Sequence, residues 1–106
     1  MSTTIDQLDD TGFDAVVASG SGLVAVEFTA QWCGACHVMA PALEDVAREL
    51  VESVRFFQVD ADTNHRVVTQ FGVRGLPTVL LFRDGQLIDR IIGAQSRRAL
   101  RARIPV

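Results

Sequence analysis

Two cysteines, Cys33 and Cys36, are the residues of this 106-residue chain whose type and spacing most directly carry chemistry. They stand in the run Trp32-Cys33-Gly34-Ala35-Cys36, where a β-rich apolar stretch gives way to a helical pattern. A helix N-terminus has N–H groups without partners and a partial positive charge. Both favour thiolate over thiol, so the position predicts that Cys33 is a nucleophile at neutral pH. Residues three apart on a helix are neighbours, which brings Cys36 within reach of Cys33. Cys33, at the helix start, is expected to be exposed, and Cys36, one turn inward, to be more buried. The chemistry is thiol–disulfide exchange: Cys33 attacks a substrate disulfide, and Cys36 resolves the mixed disulfide. A secreted disulfide scaffold needs more cysteines. A structural zinc site takes four Cys or His ligands. His37 and His65 read as surface histidines, so no metal is expected.

The elements that must position this pair are legible from periodicity. Thr3 to Ile5 is read as a short first strand, and Asp10 or Thr11 as the cap of a helix through about Ala18. Leu23 to Thr29 is almost wholly apolar and suits a central strand covered on both faces. Cys33 to about Val51 reads as a long helix, with Met39, Leu43, Val46, Ala47 and Leu50 on one side. Pro41 inside it is expected to kink it. Val54 to Val59 is a buried-type strand, and His65 to Phe71 a short helix. Thr78 to Phe82 and Leu87 to Ile92 form a hairpin across Asp84-Gly85. Ser96 caps a last helix to about Ile104. The order βαβαβαββα implies an α/β fold, with a mixed central β-sheet flanked by helices on both faces. Parallel neighbours joined by right-handed crossovers are expected, with one antiparallel hairpin. One domain spanning residues 1–106 is expected from the length and the lack of linkers.

Composition excludes several classes of function. Net charge is −3, which argues against a nucleic-acid partner. No apolar run approaches the roughly 18 residues of a membrane span, and the first ten residues lack a signal-peptide pattern. A soluble cytoplasmic protein, monomeric by default, is the expectation. All ten cationic side chains are Arg, so no lysine nucleophile exists, and the absence of Tyr removes a phenolic acid.

Several stretches together resemble the thioredoxin family in order and spacing: VAVEFTAQWCGAC (Val24 to Cys36), Pro41, FGVRGLPTVLLFRDG (Phe71 to Gly85) and IGA (Ile92 to Ala94). The resemblance covers nearly the whole chain and implies the thioredoxin fold and a protein-disulfide reductase. It implies that Pro77 is a cis-proline opposite the cysteines. The backbone of Gly75 and Leu76 would then pair with an extended substrate segment. Trp32, Gly34, Ala35, Val73, Leu76, Gly93 and Ala94 would form an apolar docking surface. The implied partners are disulfide-containing protein substrates and a flavin-dependent thioredoxin reductase that supplies electrons from NADPH. No cofactor is expected to be bound, and the Gly72-Val73-Arg74-Gly75 loop is no dinucleotide fingerprint.

Three departures from the family pattern shape the expectations. Ala35 stands where proline is common and restores an N–H able to stabilise a thiolate. The reduced form is then expected to be more favoured than in an Ala35→Pro variant. Glu27 stands where the family has a buried aspartate, whose implied role is proton exchange with the resolving thiol. A carboxyl in an apolar strand has a raised pKa, suited to that work. Gln58 stands where a lysine is usual, so no cation opposes the desolvation of Glu27. Two alternatives remain open: a milder thiol oxidant or isomerase, suggested by Ala35, and a scaffold or binding subunit on the same fold.

Overall fold

The computed structural model describes residues 5–19 and 21–106, so Thr3 and Thr4 of the expected first strand lie outside the described residues. The described elements run β1 (Ile5–Gln7), α1 (Phe13–Ala18), β2 (Leu23–Thr29), α2 (Gly34–Glu49), β3 (Val54–Asp60), α3 (His65–Gln70), β4 (Thr78–Arg83), β5 (Gln86–Ile92) and α4 (Arg97–Arg103). The βαβαβαββα order read from periodicity is the observed one.

The five strands form one sheet in the order β1-β3-β2-β4-β5. β3 pairs in parallel with both β1 and β2. β2 pairs antiparallel with β4, and β4 with β5. The β2–β4 pairing departs from the expectation that strands separated by helices are parallel neighbours. After α3 the chain returns beyond β2 instead of beside β3, running the opposite way. β2 thereby becomes the central strand, and six of its seven residues are buried.

Alternation along β2 divides the core. Leu23 and Ala25 pack with Met39, Leu43, Val46 and Ala47 of α2 and Leu100 of α4. Val24, Val26 and Phe28 pack on the other face with Phe13 and Val17 of α1 and Val67 of α3. Phe13, Phe71 and Phe82 cluster there, with ring centroids 5.4–6.0 Å apart. Each fully buried side chain of this size contributes about 1.5–3 kcal/mol. β2 is thereby the most firmly anchored strand, a rigid platform for the turn that leads into α2.

The helix ends differ in part from the sequence reading. Ser96 caps α4, its Oγ accepting from the Ala99 N–H at 3.1 Å. Asp10 does not cap α1. Its carboxylate instead accepts from the N–H groups of Arg66 at 3.2 Å and Val67 at 3.0 Å, at the start of α3. Gly12 is the N-cap residue of α1, and its N–H donates to Asp9 Oδ1 at 2.8 Å. α2 runs unbroken past Pro41. Asp84 and Gly85 both have positive φ, 50° and 84°, as a two-residue hairpin turn requires.

Candidate active site

β2 ends at Thr29, and four residues later Cys33 becomes the N-cap of α2. Its N–H donates to the Ala30 carbonyl at 3.1 Å, and its own carbonyl accepts from the His37 N–H at 3.2 Å. These bonds fix the turn from strand to helix. Cys33 Sγ accepts from the Cys36 N–H at 3.1 Å, the part an oxygen plays in an ordinary N-cap. The sulfur therefore sits among the unsatisfied N–H groups of the first turn, as the spacing predicts. Cys33 and Cys36 are joined as a disulfide, with Cα atoms 5.3 Å apart.

The expectation that Cys33 is exposed is corrected. Cys33 is 5% exposed and Cys36 3%. Ala30 packs with the two sulfurs, and Leu76 leans on them from the loop before β4. The solvent-facing part is the rim: Gly34, Ala35 and Trp32, the last 70% exposed. Trp32 is held in place by its Nε1–H, which donates to Asp62 Oδ2 at 2.8 Å. Asp62, beyond the end of β3, was not among the sequence-based candidates; an exposed acid in a turn gives no sequence signal.

The Leu76–Pro77 peptide bond is cis. Thr78 Oγ1–H donates to the Gly75 carbonyl at 2.7 Å, and the Gly93 N–H to the Pro77 carbonyl at 2.8 Å. The second bond ties the end of β5 to the Pro77 loop. Gly93 has φ +88°, a conformation L side chains rarely adopt, so this junction demands glycine. Val73, Gly75 and Ile92 border a cavity of about 390 Å³ beside this loop. Gly75 and Ala94 are exposed, and Val73, Leu76 and Gly93 half-buried. Ile92, 63% exposed, was also missed. Alternation along β5 places it outward, and its position just before Gly93 was the available clue.

Glu27 lies on the α2 side of β2, in the row that begins with Leu23 and Ala25. It is 2% exposed. Burial pushes its carboxyl above the ordinary value, and a hydrogen bond from Gln58 opposes this in part. Gln58 Nε2 donates to Glu27 Oε1 at 2.9 Å. Gln58 also borders a cleft of about 300 Å³ together with Cys36, His37 and Asp60. The glutamate is thus joined by its partner amide to the space that Cys36 lines. His37 is exposed, and its Nε2 lies 2.7 Å from the Gln31 carbonyl oxygen.

Among the described residues, no group of three or more His, Cys, Asp or Glu could hold a metal ion, and no helix is long and apolar enough to cross a membrane. Chemistry at this site rests on the sulfur pair, which can exchange two electrons with another dithiol or disulfide.

Comparison with known proteins points the same way. The family model described as Thioredoxin matches residues 4–105. The chain is 36% identical over 91 residues to "Thioredoxin 1" of Synechococcus elongatus, covering 86% of this chain and 85% of that one. It is 40% identical over 94 residues to "Thioredoxin" of Mycobacterium tuberculosis, covering 89% and 81%. It is 33% identical over 102 residues to "Thioredoxin M5, chloroplastic" of Oryza sativa subsp. japonica, covering 93% of this chain and 59% of that one.

Proposed function

Because this chain belongs to the thioredoxin family and is a dithiol–disulfide oxidoreductase, we propose that it works as a single domain, residues 1–106, that reduces disulfides of substrate proteins. The observation that carries the reading is Cys33 at the N-cap of α2, its sulfur paired with Cys36 and facing the helix N–H groups.

The Cys33 thiolate attacks one sulfur of the substrate disulfide. A mixed disulfide forms, and the other substrate sulfur leaves as a thiolate. Cys36 then attacks Cys33 Sγ, the Cys33–Cys36 bond forms, and the second substrate sulfur leaves. Two electrons have passed to the substrate. Cys36 must lose its proton before it attacks, and Glu27 is the acceptor in this reading, reached across the cleft that Cys36 and Gln58 both line. A buried carboxyl with a raised pKa is matched to that exchange. Trp32, Gly34, Ala35, Val73, Leu76, Gly93 and Ala94 receive the substrate around the sulfurs. The backbone of Gly75 and Leu76 pairs with an extended segment of it. A flavin-dependent thioredoxin reductase, drawing on NADPH, returns the pair to the dithiol in a cytoplasmic setting, and the chain acts as a monomer without a bound cofactor.

The test is the equilibrium reduction potential of the pair, read from the fluorescence of Trp32, the sole tryptophan, in defined thiol buffers. A value near about −270 mV, typical of thioredoxins, supports the reductase. A value near about −180 mV or higher overturns it in favour of an oxidant or isomerase.

A further inference from the structure

Glu27, Gln58 and Gln7 are register partners across three neighbouring strands, β2, β3 and β1. All three stand on the sheet face that carries α2. Gln7 Nε2 donates to Gln58 Oε1 at 2.9 Å, and Gln58 Nε2 donates to Glu27 Oε1 at 2.9 Å. The row descends from an exposed amide through a half-buried one to a buried carboxyl.

We propose that Gln7 and Gln58 are positioning residues: a two-amide relay that keeps Glu27 hydrogen-bonded in both its ionised and its neutral form. The use of this relay rests on the reading of Glu27 as the proton acceptor of Cys36. A buried carboxylate needs a donor, and a buried carboxylic acid needs an acceptor for its O–H. A cation serves only the first. A primary amide serves either, by turning through 180° about its last bond. With Glu27 ionised, the bonds run Gln7 to Gln58 to Glu27. With Glu27 protonated, its O–H donates to Gln58 Oε1, and the Gln58 NH2 donates to Gln7 Oε1. Both states contain two bonds, and the reversal is taken up at the surface by Gln7. No net proton passes along the amides; Glu27 alone changes charge.

The groups around the relay allow this. From α2, the cleft beside Gln7 and Gln58 is bordered by Cys36 and His37, and from the end of β3 by Asp60. On β4 the register partner of Glu27 is Val79, which is apolar. Among the described residues, neither Arg nor Lys borders the cleft. The amides are accordingly the groups that reorganise when Glu27 gains or loses its proton.

The experiment is a pH titration of the oxidised protein by NMR, following the Glu27 carboxyl carbon and the side-chain amide of Gln7. The expected result is that the Gln7 amide shifts with the midpoint of Glu27, although the two residues do not touch. In Gln58→Met, of similar length but without an amide, Glu27 still titrates, its midpoint moves upward, and the response of Gln7 is lost. A Gln7 amide that ignores the titration of Glu27, or one that still responds in Gln58→Met through the field of the carboxylate alone, overturns the proposal. The rate of resolution by Cys36 in Glu27→Ala is measured alongside. If it is undiminished while Gln7 tracks Glu27, the relay stands and only the catalytic reading of Glu27 falls.

Discussion

Cys33 and Ala35 share the first turn of α2, where N–H groups have no intrahelical partner. The donor that reaches Cys33 Sγ is the Cys36 N–H. The Ala35 N–H adds a second donor in the same turn, and proline at that position would remove it without breaking the helix. A hydrogen bond to a charged group is worth about 1.5–3 kcal/mol, which for two electrons is about 30–60 mV, and this is a ceiling for the Ala35 N–H, since the bond to the sulfur comes from Cys36. Ala35→Pro should therefore make the reduction potential more negative by less than that amount; an unchanged or less negative potential refutes the role given to Ala35. Glu27 offers a second test. Its pKa is raised in the folded protein, so the folded state holds the proton more tightly than the unfolded state. Its contribution to stability is full below the ordinary value of 4.5 and is lost as pH rises through the folded value. Glu27→Gln removes this loss. The variant should gain stability over the parent progressively as pH increases from about 4.5, measured by urea unfolding at a series of pH values. A difference independent of pH excludes Glu27 as the titrating group.

At the scale of elements, the short helices depend on partners distant in sequence. α3 has only six residues, too few to persist alone. Its first N–H groups are met by Asp10, 56 and 57 positions away from the residues it bonds. Asp10→Ala should cost about 0.5–2 kcal/mol, the range for loss of a capping side chain. Hydrogen exchange should quicken in α3 and leave α2 protected; uniform loss of protection would show that the bond serves the whole fold instead. α4 is anchored by Leu100, which is fully buried, and its arginines are tied outward. Arg97 and Arg101 meet Glu49 of α2, and Arg103 meets Asp89 of β5. A helix with four arginines reads in sequence as a basic face. In the fold, three of the four meet acids.

At the scale of the molecule, the active-site disulfide and the stability of the fold are linked. The bridge spans three positions in sequence, so its loop is near the shortest a disulfide can close. Chain-entropy reasoning gives about 2 kcal/mol of stabilisation for so short a loop. Reduction with excess dithiol should lower the free energy of unfolding by about that amount, with the slope against urea unchanged. Equal stability of the two forms would show that the folded state favours the dithiol enough to cancel the effect. Leu76 packs against the cluster of Ala30, Cys33 and Cys36, and the Pro77 loop is held in turn by β5 through Gly93. The disulfide is therefore bordered by three separated stretches of chain.

Local patterns determined much of this protein. The spacing of Cys33 and Cys36 fixes their place on one helix turn, because helical geometry depends only on sequence separation. The apolar run Leu23–Thr29, the buried stripe of α2, the Asp84-Gly85 turn and the Ser96 cap are likewise local, and each was legible. Tertiary structure decided the features that involve residues far apart. The β2–β4 pairing, the placement of Asp10 on α3 and the bond by which Gln7 extends the Gln58–Glu27 pair join segments whose distance in sequence carries no signal of contact, and the burial of Cys33 is likewise a product of packing. Periodicity tells which face of an element is apolar, but not which neighbour covers it. That choice is made when the whole core packs, and here it set Gln7 behind Gln58, the amide that meets Glu27.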